Sequence, residues 1–316
     1  MRALVTGGAG FIGSNLVDAL VARGDAVTVI DNLSSGRLDN LSGGLAAGVT
    51  LHEVDIREGT TVLSVFTEAQ PEVVFHLAAQ VDVRKSIEDP AFDAGINVVG
   101  TINVLEAARA VGVQRVVNTS TGGAIYGDTD VMPTPETVPP LPMAAYGQSK
   151  QCAEQYCAWY SRLHGLPTVT LRYGNVYGPR QDPAGEAGVI AIFAGRVLDG
   201  KAPVIYGDGL ATRDYTFVGD IVAANLAAAG NAAASGSYNV GTGAESSVLE
   251  IVAALGAAAG VADGELTPQH EPARLGELQR SSLDVSRARD ELGFTAETAL
   301  AEGVAATLEA LRAARA

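Results

Sequence analysis

The chain has 316 residues, 47% of them hydrophobic, enough apolar material for one large core or a large domain with a smaller companion, and this composition excludes a disordered chain. Its 21 lysines and arginines stand against 36 aspartates and glutamates, and the formal charge of −15 opposes non-specific attraction to nucleic acid or to an anionic membrane surface. Cys152 and Cys157, the two cysteines, lie five positions apart on a predicted helix without sharing a face, so they read as reduced packing residues and not as a disulfide or a metal clip.

In chain order, the first predicted strand, 3–6, runs directly into Thr6-Gly-Gly-Ala-Gly-Phe-Ile-Gly13, a turn that joins a strand to a helix through glycines. Gly7 permits the tight turn, Gly10 lets the backbone approach a pyrophosphate, and Gly13 lets the helix pack closely on the strand. The start of that helix supplies unpaired N–H groups and a positive dipole end. The next strand, 27–31, ends in Asp31, placed to accept hydrogen bonds from an adenosine ribose and to repel a 2′-phosphate. The dinucleotide expected is therefore NAD rather than NADP.

Further strands are predicted at 50–55, 73–79, 115–121 and 168–173, with covering helices at 11–23, 91–111 and 146–164. This alternation predicts an α/β fold, a doubly wound parallel sheet of the Rossmann type. From Pro179 the rhythm changes to loops rich in Gly and Pro with short strands, so an NAD-binding domain over 1–178 and a smaller α/β substrate domain, mainly 179–316, are expected. Segments 216–220 and 238–243 read as returns to the main sheet, which makes the division discontinuous. His52, His76, His164 and His270 are scattered without ligand spacing, so no metal is expected. The uncharged stretch 221–244 is broken by Asn225, Gly230, Asn231, Ser235 and Gly236 and does not read as a membrane span. With a core strand at the start and no basic-then-apolar leader, a cytoplasmic location is expected.

Tyr146-Gly-Gln-Ser-Lys150 puts a phenol and an ammonium four residues apart on one helical face. A neighbouring ammonium and a cationic nicotinamide are expected to lower the phenol from its reference of about 10, which makes Tyr146 a usable base. A third hydroxyl should come from the C-terminal end of a strand, where ligands of open α/β sheets gather. Thr121 and Ser120 both end such a strand, and Thr121 is preferred.

Together these motifs resemble the extended short-chain dehydrogenase/reductase family, and within it the UDP-glucose (UDP-galactose) 4-epimerases. The matching stretches are TGGAGFIG at 6–13, DN at 31–32, DI at 55–56, HLAAQ at 76–80, Asn97, STGGAIYG at 120–127, YGQSK at 146–150, RYGNVYGPRQ at 172–181, GDGLATRDYTFVGD at 207–220 and ARLGE at 273–277. The resemblance implies cofactor contacts at Gly7, Gly10, Phe11, Ile12, Gly13, Asp31, Asn32, Asp55, Ile56, Leu77, Ala78, Ala79, Gln80, Asn97, Tyr146, Lys150 and Tyr173. It implies substrate contacts at Thr121, Tyr146, Asn175, Arg213, Arg274 and Glu277, where arginines suit a buried diphosphate. Tyr146 would move the C4 hydroxyl proton and Lys150 would steer the phenol and hold the nicotinamide ribose.

Relatives on this scaffold that eliminate or decarboxylate use an acid next to the strand-end threonine, where this chain has Gly122 and Gly123. C4 epimerisation of UDP-glucose and UDP-galactose is therefore the expected reaction, and galactose metabolism its setting. UDP-N-acetylglucosamine and UDP-glucuronate are alternative substrates, the first because Ser281 stands where some relatives carry a bulky tyrosine against the sugar. An NAD-responsive binding protein without activity is the alternative from another class, opposed by the intact Tyr146 and Lys150. A homodimer is expected through helices 91–111 and 146–164, whose exposed faces would carry Ile102, Leu105, Tyr156 and Trp159.

Overall fold

Short apolar strands alternating with helices produce one seven-stranded sheet from β1 (Arg2–Thr6), β2 (Ala26–Asp31), β3 (Thr50–Glu53), β4 (Val73–His76), β5 (Arg115–Thr121), β6 (Thr168–Tyr173) and the later strand Gly236–Val240. The computed structural model describes residues 1–183, 188–262, 265–273 and 278–315. All pairings are parallel, in the order Gly236–Val240, β6, β5, β4, β1, β2, β3. Strands such as Val73–His76 are buried along their whole length because helices cover both faces. On one face Leu16, Leu20 and Ile221 pack with Val29, Phe75, Val117 and Leu171. On the other, Phe66, Val104, Leu105 and Tyr160 pack with Leu4, Ile30, Val74 and Val116. The strand order reverses between β1 and β4, so a crevice lies at their C-terminal ends, where open α/β sheets bind ligands.

A second lobe gathers around Tyr177, Phe193, Ile205, Ile251, Leu255, Val304 and Leu308. Its helices are Val189–Leu198, Val248–Ala259 and Leu300–Ala313, and its strands are only two or three residues long. Segment 216–220 departs from the sequence reading. Tyr215–Phe217 pairs with Asn175–Tyr177 outside the main sheet, and a helix begins at Val218. The physical reason is that the open edge of β6 is already filled by Gly236–Val240, which pairs from Gly236 opposite Val169 to Val240 opposite Tyr173.

Segment 91–111 also differs from a plain helix. Between the helical segments Pro90–Ala94 and Thr101–Val111 the hydrogen bonding widens to a π-helix over Gly95–Gly100, which buries Asn97. Leu105, expected on an exposed face, is wholly buried under the sheet because its helix turns it toward Phe66 and Val116.

Candidate functional site

The glycine turn has the geometry its residue types suggest. Gly7 has φ +71°, and a Cβ on Gly13 would stand 2.1 Å from the Gly7 carbonyl oxygen, so the first helix can approach the turn only without a side chain there. A Cβ on Gly10 would lie 3.2 Å from the same oxygen. Helix Phe11–Ala22 starts at Gly10 with no side-chain cap, leaving its first N–H groups to a ligand. Phe11 and Ile12 are half-buried in that first turn. The Thr6 hydroxyl sits 2.7 Å from His76 Nδ1 and accepts from the Ala78 N–H, tying the ends of β1 and β4 together.

Asp31 is buried at the end of β2, and its carboxylate accepts from the N–H groups of Ala9 at 2.9 Å and Leu33 at 2.8 Å. Burial raises its pKa, with those two N–H groups acting in the opposite direction. Each oxygen keeps further acceptor capacity for a ribose hydroxyl. Asn32 donates to Asp55 at 3.0 Å, and the hydrogen bonds of Arg57 hold the Asp55 carboxyl down to about 2. Ile56 is buried under Gly100, where a Cβ would meet its Cδ1 at 2.5 Å. Leu77, Ala78 and Ala79 are half-buried on the loop after β4, and Gln80 is buried. The cradle therefore fits a dinucleotide, with the Asp31 carboxylate at the ribose end, where it would repel a 2′-phosphate, and the neighbouring Arg57 charge taken up by Asp55.

Tyr146 and Lys150 lie on helix Ala145–His164, which has no side-chain cap at Ala144. The Ser86 hydroxyl takes the Tyr146 N–H at 3.0 Å and so satisfies one of the orphan donors of the first turn. Lys150 is buried, and its ammonium donates to the Thr119 carbonyl at 2.9 Å beneath β5. Burial pushes Lys150 down to about 8, while Asp93, Cys157 and Glu154 pull it back up. The Tyr146 phenol is pushed up to about 12 by burial; a hydrogen bond with the Thr121 hydroxyl works against this and the charge of Asp93 adds to it. The expected lowering of the phenol by Lys150 is thus not what the protein's own groups produce. The ammonium is engaged by the Thr119 carbonyl, and the phenol answers to burial and to Asp93 instead.

Side chains alternate along β5, which separates the two candidate hydroxyls. Thr121 reaches Tyr146, whereas Ser120 is turned into the core and its hydroxyl has no hydrogen-bond partner among the described residues. Tyr173 is buried behind the strand end, its hydroxyl 3.2 Å from the Thr119 hydroxyl and accepting from Asn225 at 2.7 Å. Burial lifts that phenol to about 12.

Under the helix lies a polar layer to which neither the glycine pattern nor the Tyr–Lys spacing points. Asp93, 1% exposed, accepts from the Ser149 hydroxyl at 2.6 Å, Gln80 Nε2 at 3.0 Å and Asn97 Nδ2 at 3.1 Å. Asn97 and Gln80 also exchange backbone and side-chain hydrogen bonds, both 2.9 Å. The one trace of Asp93 in the sequence is a carboxylate set inside the low-polarity run Pro90-Ala-Phe-Asp-Ala-Gly-Ile96.

Across the crevice, the Asn175 N–H donates to the Asp214 carbonyl at 2.7 Å, and its side-chain oxygen would lie 3.3 Å from a Cβ on Gly123. Arg213 is half-buried and donates to the Thr212 carbonyl, which also accepts from the Ser281 N–H at 3.2 Å. Ser281 and Arg213 are thus neighbours. Arg274 and Glu277 lie outside the described residues. Among the described residues no cluster of three or more His, Cys, Asp or Glu is arranged to hold a metal ion, and no helix is long and apolar enough to cross a membrane.

The profile of the NAD dependent epimerase/dehydratase family matches residues 3–241. A UDP-glucose 4-epimerase of Mycolicibacterium smegmatis is 48% identical over 313 residues, covering 99% of both chains. The crystal structure of a UDP-glucose 4-epimerase from Thermotoga maritima with UDP-glucose superposes with a TM-score of 0.93, at 42% identity and full coverage of both chains. That of the Thermus thermophilus UDP-glucose 4-epimerase in complex with NAD superposes with a TM-score of 0.90, at 43% identity, over 99% of this chain and 100% of that one.

Proposed function

Since the chain belongs to the NAD-dependent epimerase/dehydratase family, we propose that it interconverts UDP-glucose and UDP-galactose by NAD-dependent epimerisation at C4. The observation that carries this reading is the 48% identity with a UDP-glucose 4-epimerase over 99% of both chains. The glycine turn at 7–13 with Phe11 and Ile12, the pairs Asp31/Asn32 and Asp55/Ile56, the loop Leu77–Gln80, Asn97, Lys150 and Tyr173 form the NAD site. Bound NAD supplies a reversible hydride acceptor, which permits a 4-keto sugar to form and be reduced on its other face.

The residues of the chain do the rest. Tyr146 takes the C4 hydroxyl proton and later returns it, with the Thr121 hydroxyl hydrogen-bonded to the same centre. A phenol that burial holds near 12 needs a positive charge beside it when it works, and Lys150, fixed by Thr119, supplies part of it. Asn175, Arg213, Arg274 and Glu277 grip the UDP moiety, leaving the hexose free to turn over. Gly122 and Gly123 provide no acid for elimination, so hydride removal ends in hydride return.

The enzyme works as a cytoplasmic homodimer in galactose metabolism. Tyr156, Trp159 and Leu163 on helix Ala145–His164, with Val99 on the neighbouring π-helical segment, form the apolar face that would meet a second copy. Ser281 favours a wider sugar range, because a hydroxymethyl side chain leaves volume for an acetamido group.

Two measurements test the reading. Denatured protein should release NAD, retained because the cycle regenerates it, and Lys150→Ala should weaken that retention. Turnover of UDP-glucose, UDP-galactose, UDP-N-acetylglucosamine and UDP-glucuronate, with product stereochemistry read by NMR, should show inversion at C4 for the first two. Activity confined to UDP-glucuronate, or dependence on NADP, would overturn it. Ser281→Tyr should suppress the N-acetylated substrate and largely spare UDP-glucose.

A further inference from the structure

Asp93 is a carboxylate in the interior of the protein, 1% exposed, held by hydrogen bonds from three side chains on three different segments. Burying a charge costs far more than burying an apolar side chain of the same size. Packing alone therefore does not account for an aspartate here. Its shortest bond, 2.6 Å, comes from Ser149, which stands between Tyr146 and Lys150 on the same helix. Its other partners, Gln80 and Asn97, belong to the cofactor-side loop after β4 and to the π-helical turn. π-helical turns inside α-helices occur frequently at functional sites. This one brings Asn97 Nδ2 within 3.2 Å of the Ser149 hydroxyl and 2.9 Å of the Gln80 carbonyl.

We propose that Asp93 is a positioning residue for the epimerase reaction: through Ser149 it fixes the helical turn bearing Tyr146 and Lys150 against the Gln80 loop. The inference rests on the epimerase reading for the chemistry being positioned. Asp93 favours the protonated form of Lys150 and of Tyr146 alike. The other titratable or charged groups around the pair are Glu154 and Cys157 on the same helix and His76 on β4; Lys85 lies on the preceding helix, its ammonium 4.4 Å from the ring centre of Phe92, next to Asp93. Among the described residues, Asp93 is the group whose charge bears on both Tyr146 and Lys150.

Asp93→Asn removes the charge and keeps the shape. In the purified holoenzyme turning over UDP-galactose, both limbs of the kcat–pH profile should move toward acid by about half a unit or more, because the phenol and the ammonium each lose a stabilising anion. KM should stay within about twofold. A structural role alone would lower activity without moving either limb, and unmoved limbs in a folded Asp93→Asn protein overturn the proposal. Ser149→Ala, which leaves the charge in place, should lower kcat by about tenfold with the limbs unmoved. Should Asp93→Asn fail to fold, position 149 decides: a kcat loss in Ser149→Ala that Ser149→Thr restores, with KM and urea stability as in the wild type, supports positioning, and an unchanged kcat or a loss that follows lowered stability sinks it. If the wild-type protein turns over no UDP-hexose, the epimerase reading has failed, and Asp93 is still tested by phenolate absorbance. The alkaline difference titration of wild type against Tyr146→Phe should shift toward acid when Asp93→Asn is present in both, and no shift would refute the electrostatic role.

Discussion

Arg172 on β6 and Glu154 on the helix that carries Tyr146 and Lys150 close a bidentate ion pair in the core, Nε to Oε1 at 2.9 Å and Nη2 to Oε2 at 2.6 Å. Arg172 also donates to the Tyr126 hydroxyl at 2.8 Å, which in turn donates to Asn239 Oδ1 at 2.7 Å. One guanidinium thus binds the site helix, β6, the loop after β5 and the seventh strand together.

Breaking that pair on one side leaves a buried, uncompensated carboxylate. Arg172→Met should lower the unfolding free energy by about 3–5 kcal/mol, and adding Glu154→Leu should restore most of it. Urea denaturation of the single and double variants makes the comparison. A single-variant loss below about 1 kcal/mol would place the pair with exposed salt bridges in energetic weight.

Tyr146→Phe should reduce kcat by about a hundredfold or more while UDP binding stays nearly unchanged, because proton transfer is lost only in the transition state. Thr121→Val should cost less, since it removes a hydrogen bond to the phenol and not the proton carrier. Steady-state kinetics with calorimetric titration of UDP separates the two effects, and near-wild-type turnover by Tyr146→Phe would remove that residue from its role.

His76 sets an acid limit on stability. Its ring is buried between the hydroxyls of Thr6 at 2.7 Å and Thr101 at 3.0 Å, and burial, with the nearby Lys150 charge, depresses it from 6.5 to about 3. Below 6.5 the unfolded chain takes up a proton that the folded chain refuses, so stability is full above 6.5 and falls as the pH drops toward 3. The slope contributed is up to about 1.4 kcal/mol per pH unit. Denaturation midpoints at about pH 6.5 and about pH 5.5 should converge for His76→Asn and separate for the wild type.

Light scattering should give twice the 32.3 kDa of one chain. Trp159, whose ring meets Tyr156 edge-on at 6.4 Å, is exposed on the proposed contact face. Trp159→Glu should then move the protein toward monomer at micromolar concentration with its fold intact by circular dichroism. A wild-type monomer would remove the dimer.

What the sequence made legible was local. The strand–glycine–helix turn at Thr6–Gly13 needs only a few consecutive residues and has the close approach its glycines allow, and the Tyr146/Lys150 spacing sets both residues on one helix. Ser120 and Thr121 are adjacent in the sequence, and only the fold tells that they lie on opposite faces of β5, with Ser120 buried and Thr121 at the strand end beside the Tyr146 phenol. Segment 216–220 has strand-like composition, but composition does not tell which sheet edge is vacant, and Gly236–Val240 had filled it. Asp93 and Ser149 meet across 56 positions, a distance over which no periodicity carries information. The phenol of Tyr146 depends on how much water the folded site excludes, a property of the whole crevice.

The glycines after Thr121 have a bearing on redesign. A Cβ on Gly122 would stand 2.5 Å from Cδ1 of Leu283, a side chain 1% exposed and packed with Ile125 and Tyr126, so it has little room to yield. One on Gly123 would lie 3.3 Å from the side-chain oxygen of Asn175. A carboxylate of the kind expected in eliminating relatives could enter at 122 only by displacing the Leu283 side chain. At 123 it would crowd a residue assigned to substrate. An acid at 122 therefore comes at the expense of the packing around Leu283, and a library that varies 122 and 283 together gives it the room that a change at 122 alone does not.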